Sequence, residues 1–262
     1  LRAFPGRGRG EREEENEDRE SRGERTSHLR QPGAPERRGK SWTFPELRLA
    51  EARVRHKLES LVSPEGTLVR GARNVDWEDV ARDDRGNLLV GDVGNNNGRR
   101  KHFDVYVVPE PQPDAEEATA RKLRFPYPDG RGFDAEALFW WRGSAWLISK
   151  NWPGPPAKTF RLEVREAEAE NRLVPAGEYP FGGPVTAAAA SPDGRRVAVL
   201  TYLALWVFEP PADSDHPFTG PVHRRAISAG QCEAVCFDGD ALLVSNEAGQ
   251  LYGIRLEDLD AL

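Results

Sequence analysis

The chain has 262 residues, 43 acidic against 37 basic side chains, and a formal net charge of -6. Its basic residues carry no aromatic interleaving, which excludes the pattern of a nucleic-acid groove. No apolar run approaches the ~18 residues of a membrane-spanning helix, and no signal peptide is visible.

Residues 1–41 are Arg, Glu, Gly and Pro with almost no aliphatic side chains. Such a segment buries too little apolar surface to offset its chain entropy, so a disordered, charge-balanced tail is expected. Residues 42–65 form a lead-in whose first half reads as a strand and whose second half has helical composition. The segment 66–73, GTLVRGAR, is strand-like and is expected to pair with the last repeat and close a ring. Residues 66–262 carry the folded domain.

An internal echo dominates that domain. Acidic residues open three short apolar runs, and 14 residues later a polar residue closes each: Glu78 and Asp92, Glu136 and Lys150, Glu233 and Glu247. In a fourth copy Ala187 stands where the Glu is expected, with Thr201 14 residues further on. Self-similarity at about 40–50 residues in strand-rich units predicts a β-propeller. Each unit offers a first strand, a tight turn rich in Gly and Asp (83–87, 141–145, 191–195, 237–241), then a second strand rich in β-branched and aromatic residues. Third strands follow at 103–110, 158–166, 203–209 and 250–257, and more polar fourth strands at 120–128, 172–180 and 223–230. The fold class is therefore all-β: a propeller with four visible blades of four antiparallel strands. The ring either closes with four blades or is a five-bladed ring short of one.

NVDWEDVARDDRGNLLVGDVGNNNGRR (74–100) resembles a signature of bacterial, WD-repeat-like β-propeller proteins, which reads N-x-D-W-E-D-I-A, then G-D-x-G-x-N and a basic pair. VTAAAASPDGRRVAVLTY (185–202) and GQCEAVCFDGDALLVSNEAG (230–249) resemble two later units of the same proteins. The resemblance spans about 66–258. It implies a propeller outside the cytoplasm, secreted or periplasmic. It also implies a blade before the DWED run, which is absent or replaced in this chain.

Inner strands of a propeller line its channel, so Glu78, Glu136 and Glu233 should converge at one mouth. Converging carboxylates repel unless a cation or a basic group sits among them. One reading is a hard cation, Ca²⁺, bound by Asp76, Glu78, Asp92, Asn95, Glu136 and Glu233. The other is structural: each Glu accepts backbone N–H bonds from the next blade. Asp92, Lys150 and Glu247 would form a second ring, with Lys150 neutralising Glu136 or Glu78. The loop 91–98 is rich in oxygen donors but lacks the EF-hand arrangement. Asp76 and Glu78 should face one side, and Trp77 the other, into the core. Trp140, Trp141, Trp146 and Trp152 read as packing, or as an exposed platform for a sugar ring or another planar ligand. Cys232 and Cys236, on one face of a strand about 13 Å apart at ~3.3 Å per residue, should be free thiols.

Three functions fit these features. The leading one is a non-enzymatic, monomeric propeller that binds a small molecule or protein through an acidic mouth, with or without Ca²⁺. The second is a metal-dependent hydrolase of phosphoesterase or lactonase type, carried by fold analogy alone. The third is a degenerate or truncated copy without a site, which Ala187 and the absent blade favour.

Overall fold

The structure, a computed structural model, describes residues 67–112, 115–151, 156–165 and 171–262. The expectations for 1–41 and 42–65, and for Trp152, lie outside the described residues.

Alternation of apolar and polar residues builds four antiparallel sheets in succession. The first blade is β2 (Asp79–Arg82), β3 (Asn87–Asp92), β4 (His102–Pro109) and β6 (Arg121–Pro126). The second is β7 (Ala135–Trp141), β8 (Ser144–Ser149), β9 (Ala157–Glu163) and β10 (Arg172–Tyr179). The third is β11 (Val185–Ala190), β12 (Val197–Thr201), β13 (Ala204–Phe208) and β14 (Val222–Ala226). The fourth has three strands, β15 (Cys232–Asp238), β16 (Ala241–Asn246) and β17 (Leu251–Arg255). The first hairpin of each blade turns on a glycine with positive φ, Gly86, Gly143, Gly194 and Gly239. Only glycine adopts that conformation without strain.

Two short strands depart from expectation. β1 (Leu68–Arg70) does not close the ring on the last blade. It pairs in parallel with β5 (Glu117–Thr119), Leu68 opposite Glu117 and Arg70 opposite Thr119. Val69 there covers Val90, Tyr106 and Val108 on the outer face of the first blade, and Arg70 binds Glu117. The C-terminal β18 (Asp260–Ala261) adds to β14 of the third blade and leaves the fourth with three strands.

The core lies in the seams between successive blades. Leu89, Phe103, Val105 and Phe125 of the first blade meet Leu138, Leu147 and Phe160 of the second. Phe139, Trp141, Trp146 and Ile148 meet Val197, Val199, Trp206 and Phe208. Leu200, Leu205 and Val207 meet Leu242 and Val244. Burying one such side chain is worth roughly 1.5–3 kcal/mol, against about 0–1 kcal/mol for an exposed ion pair such as Arg82–Glu110. The seams therefore set the arrangement. The inner strands pack in series, β2 on β7, β7 on β11 and β11 on β15; among the described residues no comparable packing joins β15 to β2. Val80 of β2 is accordingly 51% exposed.

Trp141 and Trp146 are buried edge-to-face at 6.0 Å, so they are packing, as one of the two readings had it. Cys232 and Cys236 form no disulfide, and they do not share a face. A bulge between Cys232 and Ala234 shifts the alternation, so Cys232 is buried while Cys236 is exposed.

Candidate functional site

The bulge that separates the two cysteines recurs and defines the mouth. Ladder pairs shift between Ala135 and Ala137, between Val185 and Ala187, and between Cys232 and Ala234. The skipped residues are Glu136, Thr186 and Glu233. In the first blade Glu78 holds the same place, its N–H bonded to Gly91 just before the Asp79–Gly91 pair. The third blade's substitute for Glu is therefore Thr186, not Ala187; its hydroxyl donates to the carbonyl of Cys232 at 2.6 Å. The same register aligns Asp92 with Ser149, Thr201 and Asn246. All four are buried and hydrogen-bonded. Lys150 and Glu247 lie one residue further on, so Asp92, Lys150 and Glu247 form no single ring.

The predicted mouth residues fall into two groups. Burial is the main force on Glu78, and it pushes the carboxyl up to about 8 with the help of Glu136, Asp76 and Asp134. Asp76 and Glu78 do share a side, as alternation predicts. Both carboxylates press on Gly94, where a Cβ would fall onto Glu78 Oε1 and Asp76 Oδ2. Gly94→Ala should therefore displace them and cost about 1–3 kcal/mol, as overpacking does; urea unfolding of the variant measures it. Asp92 is fully buried. Its Oδ1 accepts the N–H of Asp76 at 2.9 Å and a guanidinium N–H of Arg100 at 2.9 Å, while Oδ2 has no partner among the described residues. The Asn95 N–H donates to Asp134 at 2.7 Å and its Oδ1 accepts from Arg100 N–H, which ties the 91–98 loop across to the second blade.

In the second group Glu136 and Glu233 already have partners. Lys150 Nζ donates to Glu136 Oε1. Burial still lifts Glu136 to about 7, against the pull of Lys150, and the pair holds Lys150 protonated. Lys150 lies 5.6 Å above the ring of Tyr202, whose hydroxyl donates to Glu233 at 3.1 Å. Burial raises Glu233 as well. Glu247 is exposed at the rim. Among the described residues, no three of His, Cys, Asp and Glu stand together as a metal-holding group. Of the six predicted cation ligands, Asp76 and Glu78 stand together at Gly94, and Glu136, Glu233 and Asp92 are bound to Lys150, Tyr202 and Arg100.

Backbone N–H groups of neighbouring blades do find a carboxylate, but it belongs to Asp79. Its Oδ1 accepts from Val80 N–H at 2.8 Å, and its Oδ2 from Leu138 N–H at 3.0 Å and Ala188 N–H at 3.3 Å. These donors sit at one equivalent place in three consecutive blades, so Asp79 pins β2, β7 and β11 at the axis. Burial raises its carboxyl to about 7 although all three bonds favour the anion. The register equivalents of Asp79 are Ala137, Ala187 and Ala234. An aspartate where the other three blades carry alanine is the sequence signal for it.

No family model matches the sequence, and no curated protein matches it. Among solved structures, Sqt1 from Chaetomium thermophilum is similar at 18% identity over 72% of this chain and 46% of that one, with a TM-score of 0.41. A second Sqt1 structure, bound to the N-terminus of the ribosomal protein L10, is similar at 18% identity over 70% and 48%, with a TM-score of 0.40. The computationally designed Ika4 protein is similar at 13% identity over 72% and 98%, with a TM-score of 0.36. The chain spans about half the length of the Sqt1 structures it matches.

Proposed function

We propose that this propeller is a non-enzymatic binding module whose mouth receives a basic side chain of a protein partner between Asp76 and Glu78. One observation carries this reading. Glu78 is half-buried, and the charges that act on it most strongly are the carboxylates of Glu136, Asp76 and Asp134. An ammonium or guanidinium placed there removes that repulsion, and a guanidinium bonds two carboxylates in a fork. Calcium asks for more. It takes six to eight oxygens, whereas Glu136 and Glu233 are occupied by Lys150 and Tyr202. The unpartnered Oδ2 of Asp92 adds one buried donor, so Ca²⁺ is the second reading for the same position.

Fluorescence anisotropy with a labelled hexa-arginine peptide tests the proposal. Binding is expected at pH 8 and should weaken roughly tenfold or more at pH 5, where Glu78 is protonated. Glu78→Gln should weaken it equally at pH 8 while leaving the thermal midpoint as high as before or higher. Equal peptide affinity in the variant would sink the reading. A Ca²⁺-induced rise in midpoint that Glu78→Gln abolishes would put a metal ion there instead.

A further inference from the structure

A polar cavity lies on the first blade, and its charge is opposite to that of the mouth. Strand alternation builds it. On β4, Phe103 and Val105 turn into the seam with the second blade, so His102, Asp104 and Tyr106 face the other way. On β6, Leu123 and Phe125 turn inward, so Lys122 and Arg124 face the same side as their ladder partners, Tyr106 and Asp104. Arg73 and Val75 approach from the segment before β2, and the Tyr106 hydroxyl holds that segment by donating to the Arg73 carbonyl at 3.1 Å. Arg100 and Lys101 close the remaining side. The result is a cavity of about 330 Å³, at the small end of the roughly 300–1,000 Å³ that ligand pockets occupy.

The lining carries five permanent cations, Arg73, Arg100, Lys101, Lys122 and Arg124, against one carboxylate, Asp104. Asp104 binds Arg124 through both oxygens, at 2.9 and 3.2 Å, and Asp92 binds Arg100. Both arginines are therefore fixed in orientation. Arg73, Lys101 and Lys122 have no ion-pair partner among the described residues. In a chain of net charge -6, so local an excess of positive charge on a rigid two-strand platform is not a general surface property.

We propose that this cavity is an anion site that takes a small ligand through a phosphate group. The oriented guanidiniums supply forked donors, and the two lysines supply compact charge for the remaining oxygens. At about 330 Å³ the cavity suits a small ligand rather than a nucleic-acid strand. Burial and the charges of Arg124, Arg100 and Lys122 keep His102 below its ordinary range, with Asp104 acting the other way. A bound phosphate would act on His102 in the same direction as Asp104, toward its charged form.

The experiment is calorimetric titration of the full chain with pyrophosphate at physiological ionic strength. The double variant K101E/K122E should weaken binding by roughly tenfold or more. The charge-matched control R85E/K158E, away from the cavity, should leave it unchanged. Arg124 is spared, because its loss would leave Asp104 buried and unpaired. Sedimentation with phosphatidylcholine vesicles carrying phosphatidylinositol 4-phosphate separates the two sources of phosphate. Pull-down that K101E/K122E abolishes assigns a lipid headgroup; pyrophosphate binding without pull-down assigns a soluble ligand. Absence of pyrophosphate binding by the folded wild-type chain overturns the proposal, as does equal loss of affinity in the two double variants. The acidic mouth plays no part in this titration, so the two readings stand or fall separately.

Discussion

Asp79→Ala should cost about 2–5 kcal/mol of folding stability, read from urea unfolding at about pH 4, below the range in which the native carboxyl ionises. The substitution leaves the Leu138 and Ala188 N–H groups without their acceptor, and an unsatisfied buried donor costs about 1–3 kcal/mol. Asp79→Asn should cost far less. Oδ2 alone accepts both inter-blade bonds, and an amide oxygen can replace it. The same geometry fixes the pH dependence. Native Asp79 titrates at about 7, well above the ordinary aspartate value of ~3.9. Between those limits the native state holds a proton that the unfolded chain releases. Stability therefore falls as pH rises from about 4 to about 7, and this component is flat above. Asp79→Asn should remove it. A loss below about 1 kcal/mol for Asp79→Ala would mean that the three inner strands do not depend on their shared carboxylate.

The second large effect belongs to Lys150→Met. Removing Lys150 leaves Glu136, 4% exposed, without its cation. Breaking a buried pair in this way costs about 3–5 kcal/mol when the remaining charge cannot escape. Here it can escape by taking up a proton. Native Glu136 already titrates at about 7 with Lys150 beside it, and higher without it. The penalty should accordingly be near 3 kcal/mol at pH 8 and fall below about 1 kcal/mol at pH 5. Chemical denaturation of both proteins at the two pH values measures this. A penalty equal at both would mean that Glu136 is not the group responding.

The four blades were legible in the sequence because each hairpin carries its own turn glycine and alternating apolar residues, both of which are local. Sites depend on register, which spacing along the sequence locates only to within a residue or two. A fixed spacing of 14 aligned Asp92 with Lys150, whereas ladder pairing aligns it with Ser149, because bulge and loop lengths differ between blades. The repeated Glu drew attention to the skipped residues at each bulge. The unrepeated Asp79, among alanines, carries the inter-blade bonds. The basic cavity was within reach, since H-F-D-V-Y and K-L-R each place their polar members on one face. Knowing that β4 and β6 are neighbours in register was the missing step. The pairing of β1 with β5 was not legible, because a three-residue strand contains too little pattern to name its partner.

Among the described residues the blades pack in series with no comparable seam from β15 to β2, and such a set behaves as a short one-dimensional array. In such an array stability is a sum over neighbouring units, and the end unit has one neighbour instead of two. The fourth blade has three strands and its outward face is only partly buried, so it is the unit whose local opening costs least. When it opens, Tyr202 loses Glu233 and the mouth loses one wall. Asp79 keeps all three of its bonds, because every donor lies in the first three blades. The mouth can thus breathe at its far side while the axis that positions Glu78 stays fixed.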